Sequence, residues 1–260
     1  MRFTLLAPIL LIAAPVAAQH AINGTWRFDP ATAKMSDKPE RFQIRNGVFT
    51  CSTCTPAIRV AADGAFHRVA GHSYFDEMKV DAAAPDRVLY AYRHKGKLIG
   101  ETTETVSADG SGLSTTSWRS NNAAAKRIDY GSTSTRVEPA AAGAHRASGG
   151  WKQATQSIAT PEASRLTFRV ADGAVTVTEP TGEAVTTKLD GRFARNVGDP
   201  GGTEYAYTAP SDRVLLERSR RAGRELSSGR YDVSADGRSL TATYTSKKDG
   251  GVTVVTATKE

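Results

Sequence analysis

The chain holds two cysteines, three positions apart, in the stretch Cys51-Ser-Thr-Cys-Thr-Pro56. Three chemistries are open to such a pair. The simplest is a local disulfide at a strand end, which an oxidising compartment would favour. A loop that small removes little entropy from the unfolded chain, so the bridge would stabilise only modestly. The second is thiol redox chemistry, but a thioredoxin-type C-x-x-C needs its first Cys at a helix N-terminus within a βαβ unit. Pro56 and the strand-like flanks oppose that context, and Thr55 stands where haem attachment would need His. The third is metal binding: Cys51, Cys54, His67 and His72 offer sulfur and imidazole ligands in the number tetrahedral zinc takes. On one extended strand, however, His67 and His72 would face opposite sides. A disulfide is therefore the expectation, a thiol or metal site at Cys51/Cys54 the alternative, and no cofactor is expected.

Two basic stretches are the next candidates, Tyr92-Arg-His-Lys-Gly-Lys97 and Arg218-Ser-Arg-Arg-Ala-Gly-Arg224. Arg93, Lys95 and Lys97 in one, and Arg218, Arg220, Arg221 and Arg224 in the other, offer contacts to an anionic envelope surface. The same charges serve equally as solvated hairpin tips that discourage edge-to-edge pairing, and that use is the expectation. No G-x-S-x-G elbow, H-E-x-x-H pair or phosphate-cradling glycine loop occurs. The expectation is a protein that is not an enzyme.

The compartment follows from the first residues. Met1-Arg-Phe-Thr-Leu-Leu opens an apolar run that Pro15 interrupts, and Val16-Ala-Ala18 places small residues before a cut after Ala18. That make-up predicts a signal peptide over residues 1–18 and a periplasmic or secreted protein, with no integral membrane segment once it is removed. The formal net charge is +7. Residues 19–143 hold 16 Lys and Arg against 13 Asp and Glu, and residues 144–260 hold 17 against 14. A nucleic-acid binder concentrates its charge on one segment or face, so no nucleic-acid partner is expected.

The elements that position these residues are written twice. Val-Ser-Ala-Asp-Gly occurs at Val106–Gly110 and at Val233–Gly237. Asp-Arg-Val-Leu opens at Asp86 and at Asp212, Asp63–Gly71 answers Asp190–Gly198, and Gly24-Thr-Trp26 answers Gly149-Gly-Trp151. An extra residue between the second Asp-Arg-Val-Leu and its Val-Ser-Ala-Asp-Gly would account for the change in spacing. The shared residues are turn formers and alternating apolar positions, the needs of half-buried strands. The second copy has Val175-Thr-Val-Thr-Glu-Pro180 in place of the cysteine stretch, so the fold does not require the cysteines. Short helical turns have room only near 30–40 and 154–164.

The chain reads as all-β: two tandem meander β-barrels related by internal duplication, over 19–138 and 148–260, with 139–147 as linker. Closure into a barrel removes exposed edges, and about eight strands leave an interior that side chains fill or that holds one small ligand. The two G-x-W motifs resemble the first-strand G-x-W of lipocalins and related calycin barrels. The whole pattern is similar to exported bacterial lipocalin-like proteins of unassigned activity. That resemblance implies a Trp closing one barrel end beneath a cation from the last strand: Arg136 over Trp26 in the first copy, and Lys259 over Trp151 in the second. It further implies a non-catalytic exported binding protein for a small apolar or amphipathic ligand. The alternative is a structural, envelope-associated protein with filled barrels.

Overall fold

The computed structural model describes residues 20–260, so the expected signal peptide lies outside the described residues. The first copy contributes β1 (Gly24–Lys34), β2 (Glu40–Arg45), β3 (Val48–Cys51), β4 (Ile58–Ala61), β5 (Asp63–Arg68), β6 (Glu77–Asp81), β7 (Arg87–His94), β8 (Lys97–Val106), β9 (Gly112–Arg119) and β10 (Ile128–Glu138). The second contributes β11 (Gly149–Ile158), β12 (Arg165–Ala171), β13 (Ala174–Thr178), β14 (Ala184–Lys188), β15 (Ala194–Arg195), β16 (Thr203–Ser211), β17 (Val214–Arg221), β18 (Arg224–Val233), β19 (Ser239–Ser246) and β20 (Val252–Lys259). A single 3-10 turn, Pro161–Ser164, occupies the second of the two places where helical turns had room; the first is taken by the end of β1. Among the described residues no helix is long and apolar enough to cross a membrane.

The strands form two nearly closed antiparallel sheets of ten, consistent with two barrels, each with its own core. Local chemistry sets the hairpins. Asn46-Gly47 and its counterpart Asp172-Gly173 hold consecutive left-handed residues, as do Lys95-Gly96 and Ala222-Gly223. That is the backbone a two-residue hairpin matched to strand twist requires. Val-Ser-Ala-Asp-Gly is likewise a turn. Ser107 donates to Asp109 at 2.5 Å, and Ser234 to Asp236 at 2.5 Å, while Gly110 and Gly237 take positive φ.

The sheets do not follow the sequence repeat. One runs β4-β3-β2-β11-β10-β9-β8-β7-β6-β5 and the other β14-β13-β12-β1-β20-β19-β18-β17-β16-β15. The first strands of the two copies are exchanged. Barrel 1 is built from residues 40–158, and barrel 2 from β1 together with β12 to β20. Residues 139–148 form the loop of the β10–β11 hairpin, where the His145 amide donates to the Ile44 carbonyl at 2.8 Å. The connections between barrels are residues 35–39 and 159–164 instead. The physical reason is proximity: β11 folds back on β10 as the nearest antiparallel partner, and sequential strands usually neighbour one another. That leaves β1, which carries the same G-x-W motif, to fill the gap between β12 and β20.

Two expectations change as a result. The Trp–cation pairs are crossed: Lys259 Nζ lies 5.2 Å from the Trp26 ring centre and Arg136 Cζ lies 4.0 Å from that of Trp151. Each cation sits directly opposite its Trp on the neighbouring strand. The extra residue between Asp-Arg-Val-Leu and Val-Ser-Ala-Asp-Gly is also absent. Val88 pairs with Glu104 and Leu215 with Tyr231, so β7–β8 and β17–β18 match at constant spacing. The two Asp-Arg-Val-Leu stretches are one residue out of phase, with Val88 buried in one copy and Leu215 in the other.

Candidate ligand cavity in the first barrel

Alternation along β2, β3 and β6 to β11 sends every second side chain into barrel 1. At its base these are apolar: Ile44, Phe49, Val80, Val88, Val106 and Leu113 are buried together. Trp151 closes this end, its indole donating to the Ala147 carbonyl at 2.7 Å. Arg136 crosses the ring and donates to the carbonyls of Gly110, Ser148 and Arg146, each at 2.6 Å. Such a fixed guanidinium over an indole adds ~0.5–2 kcal/mol beyond the buried area.

Above the base, the inward residues turn polar and small. Thr102, Thr115, Ser117, Ser132, Ser134 and Gln153 line a space of about 640 Å³. A second lobe of about 560 Å³ shares Glu40, Phe42, Tyr92, Thr102, Glu104, Arg119 and Tyr130 with the first. The two lobes therefore adjoin across those residues. The second reaches the junction with barrel 2, where Glu179, Glu183, Asn196, Asp199 and Tyr205 complete its wall. A volume of this order suits a drug-sized molecule.

Electrostatics inside are dominated by carboxyl groups. Glu104 accepts a hydrogen bond from the Tyr90 hydroxyl at 2.9 Å. Burial, followed by the nearby Glu40 carboxylate, pushes Glu104 up to about 8. Glu40 stands at the exposed rim; the protein around it still raises its carboxyl, which Lys248 opposes. At the junction, burial and then Glu183 push Glu179 up to about 7. Removing a carboxylate from water penalises its charged form, and a second carboxylate adds repulsion.

Barrel 2 carries the matching device in inverted form. Its buried carboxyl, Glu217, lies on β17, the counterpart of the strand that bears Tyr90 in barrel 1. Tyr231, on β18, takes the place of Glu104. Glu217 accepts from the Tyr231 hydroxyl at 2.7 Å and the Tyr207 hydroxyl at 2.9 Å. Burial raises Glu217, and those two donors offset part of the rise. Phe168, Tyr231 and Tyr244 pack edge to face across this interior, with centroids 5.3 and 5.9 Å apart. Rings and a satisfied carboxyl thus pack together here, and Tyr207 and Glu217 also border a smaller pocket of about 390 Å³ along β16 to β19.

The barrels meet through named contacts. The Tyr74 ring is seated against Gly201, where a Cβ would lie 2.5 Å from the ring. Arg221 stacks on that ring at 4.5 Å and donates to its hydroxyl at 2.8 Å. The Ala124 amide donates to the Thr181 carbonyl at 2.9 Å, and the Ala123 amide to Glu183 at 3.0 Å.

Of the residues singled out by sequence, Cys51 and Cys54 are joined as a disulfide, and Cys54 and Thr55 border the cavity. Among the described residues, one trio of potential metal ligands lies within 4.8 Å, Glu40 with Cys51 and Cys54. Its sulfurs are bonded to each other, so no thiolate is there to bind a metal. His67 pairs with Asp63 at 2.8 Å and His72 stacks on Phe75 at 4.8 Å, so the four-ligand zinc set is not assembled. The basic tips are largely engaged within the molecule. Arg93 lies 3.7 Å over Phe66, and its repeat counterpart Arg220 lies 4.2 Å over Phe193. Arg218 binds Glu225 at 3.0 Å, and Arg221 spans the junction; Lys95, Lys97 and Arg224 point to solvent.

Glu40, Tyr90, Glu104, Glu179, Glu183 and Glu217 lie in no motif that marks them in the sequence. The signal for two of them was parity: Glu104 shares the inward phase of Val106, and Glu217 that of Leu215. The junction acids had no local signal, because a contact between barrels places them. No protein-family model matches the chain, and no curated protein matches it significantly.

Proposed function

We propose that this is a non-catalytic exported binding protein whose first barrel takes up a small amphipathic ligand. The observation that carries the reading is the contrast between two barrels of one ancestry. Barrel 2 packs Tyr207, Tyr231, Tyr244 and Phe168 around Glu217, with a pocket of about 390 Å³ bordered by Tyr207 and Glu217, whereas barrel 1 is bordered by two adjoining lobes of about 640 and 560 Å³. The apolar base and hydroxyl-rich upper wall suit a molecule with one apolar and one polar end. The opposed Trp and cation in each barrel support the calycin-like reading, and the signal-like first residues together with the disulfide support export to a periplasmic or extracellular space. Barrel 2 acts as a structural partner that walls one end of the cavity.

Native mass spectrometry of the full chain, purified without denaturation, tests this. A retained small-molecule mass that is lost in Ser132→Phe, which places a ring inside the cavity, is the expected result. If the wild type and Ser132→Phe carry nothing and neither takes up an added amphipathic probe, the structural reading replaces the binding one.

A further inference from the structure

Resting on that binding reading, we propose that the hydroxyl-lined lobe takes a neutral polyhydroxylated group, a sugar, carried on an apolar body, so that the ligand is a glycoside. The duplication supplies the control, because the strand registers match the two barrels position by position. In barrel 1, Thr115 lies opposite Ser132, and Ser134 lies opposite Gln153. The same two rows in barrel 2 set Ala242 opposite Val255, and Ala257 opposite Phe28. All four of those side chains are apolar and belong to the barrel 2 core or pack against it. The fold is thus built with apolar residues at these inward places, yet barrel 1 carries two Ser, a Thr and a Gln there. Polar groups inside a barrel are costly unless they are hydrogen-bonded. The fold does not require them, and a ligand with hydroxyls of its own does.

The hydroxyls are placed to receive such a ligand. On the outer face of the same sheet, Thr133 and Thr155 satisfy each other at 2.7 Å. Inside, Thr102 donates to Ser117 at 3.2 Å, whereas the Thr115, Ser132 and Ser134 hydroxyls have no partner among the described residues. These three residues are half-buried and line the lobe. A hydroxyl both donates and accepts, and so does the primary amide of Gln153. A wall of such groups matches ligand groups that do the same, as sugar hydroxyls do.

Other ligand classes fit less well. Glu104 holds its proton at neutral pH, which leaves Glu40 and Asp249 against Lys38, Arg119 and Lys248 around the lobe, close to balance. A peptide strand finds no edge to join, since β8 to β11 are each paired on both sides. The apolar body of a glycoside has its own place: Phe42, Leu113 and Trp151 border this lobe, and Phe49, Met78, Ile99 and Ile128 line the adjoining one.

The test is isothermal titration of the full chain with octyl glucoside and octyl galactoside, below their micelle concentrations, against 1-octanol, octanoate and octylamine. The expected result is about tenfold tighter binding of at least one glycoside than of the other three probes, the scale of one or two net hydrogen bonds. Thr115→Ala/Ser132→Val/Ser134→Ala, which installs the barrel 2 residues, should bring that preference to about unity and leave octanol binding in place. Should the triple variant lose its melting transition, Ser132→Ala/Ser134→Ala is read in its place, with the preference lowered about threefold. If octanol, octanoate or octylamine binds as tightly as the glycosides, or the variant that folds keeps the preference, the sugar inference is overturned while the binding reading stands. Silence from all five probes at millimolar concentration overturns the inference and the binding reading together.

Discussion

Replacing Glu104 with Gln separates the charge of the cavity carboxyl from its shape. Gln keeps an oxygen for the Tyr90 hydroxyl, which donates at 2.9 Å. The ordinary value for the group is 4.5, and burial with the neighbouring Glu40 takes it to about 8 in the folded protein. The folded state thus holds this proton more tightly than the unfolded chain does. Glu104 imposes no penalty below the unfolded value; stability falls as pH rises from there, and the full penalty is reached above the folded value. A shift of that size corresponds to a ceiling of about 5 kcal/mol, and water admitted by the cavity reduces it to ~2–3 kcal/mol. In urea unfolding followed by Trp fluorescence, Glu104→Gln should match the wild type within ~0.5 kcal/mol near pH 4, the ordinary scatter of a neutral substitution. Near pH 9.5 the variant should be the more stable by ~2–3 kcal/mol. A variant that tracks the wild type at both pH values, or is weaker at the higher one, would refute the placement of a buried, proton-retaining carboxyl in barrel 1.

Two further outcomes follow from the geometry. Gly149 and Gly24 both take left-handed φ, near 126° and 124°, but a Cβ at Gly149 meets the Glu138 carbonyl oxygen at 2.5 Å, whereas one at Gly24 meets the flexible Lys259 Cε at 2.9 Å. Gly149→Ala should cost ~3–4 kcal/mol and Gly24→Ala ~1–2 kcal/mol in chemical denaturation, the first adding backbone displacement to the φ strain that both share; equal costs would contradict the crossed assignment of Arg136 and Lys259. A double-mutant cycle of Tyr74→Phe and Arg221→Ala should return a coupling of ~1 kcal/mol for the hydrogen bond across the junction; zero coupling would show that the barrels do not meet there.

What the sequence revealed was whatever short stretches encode by themselves. Lys95-Gly96 at a basic tip and Asp109-Gly110 read as turns from their own residues, and Ser107–Asp109 and Ser234–Asp236 carry their own hydrogen bonds. The all-β class and the duplication were legible for that reason. The exchange of β1 and β11 was not, because both strands carry G-x-W and each satisfies either slot. Which one fills which slot depends on the β10–β11 hairpin, held by His145 and Ser148 against β2. The phase slip at Asp-Arg-Val-Leu was hidden for a related reason: Val and Leu adjoin there, so either of them serves as the inward residue. The hollow interior was beyond reach, since it depends on Ser132, Thr115 and Gln153 from three separate strands all facing the same space.

The cavity is walled by β11, a strand of the second copy, and that exchange is the claim on which the site depends. Thr25 lies opposite Thr167, with their hydroxyl oxygens 2.9 Å apart. The unexchanged arrangement would instead set Thr25 opposite Arg41, the residue that Gly150 faces. Cysteine trapping in the full chain decides between them by peptide mapping after mild oxidation. A Thr25→Cys/Thr167→Cys bond that forms readily, with none in Thr25→Cys/Arg41→Cys, is the predicted result; the reverse pattern would contradict the exchange and dismantle the cavity wall built on it.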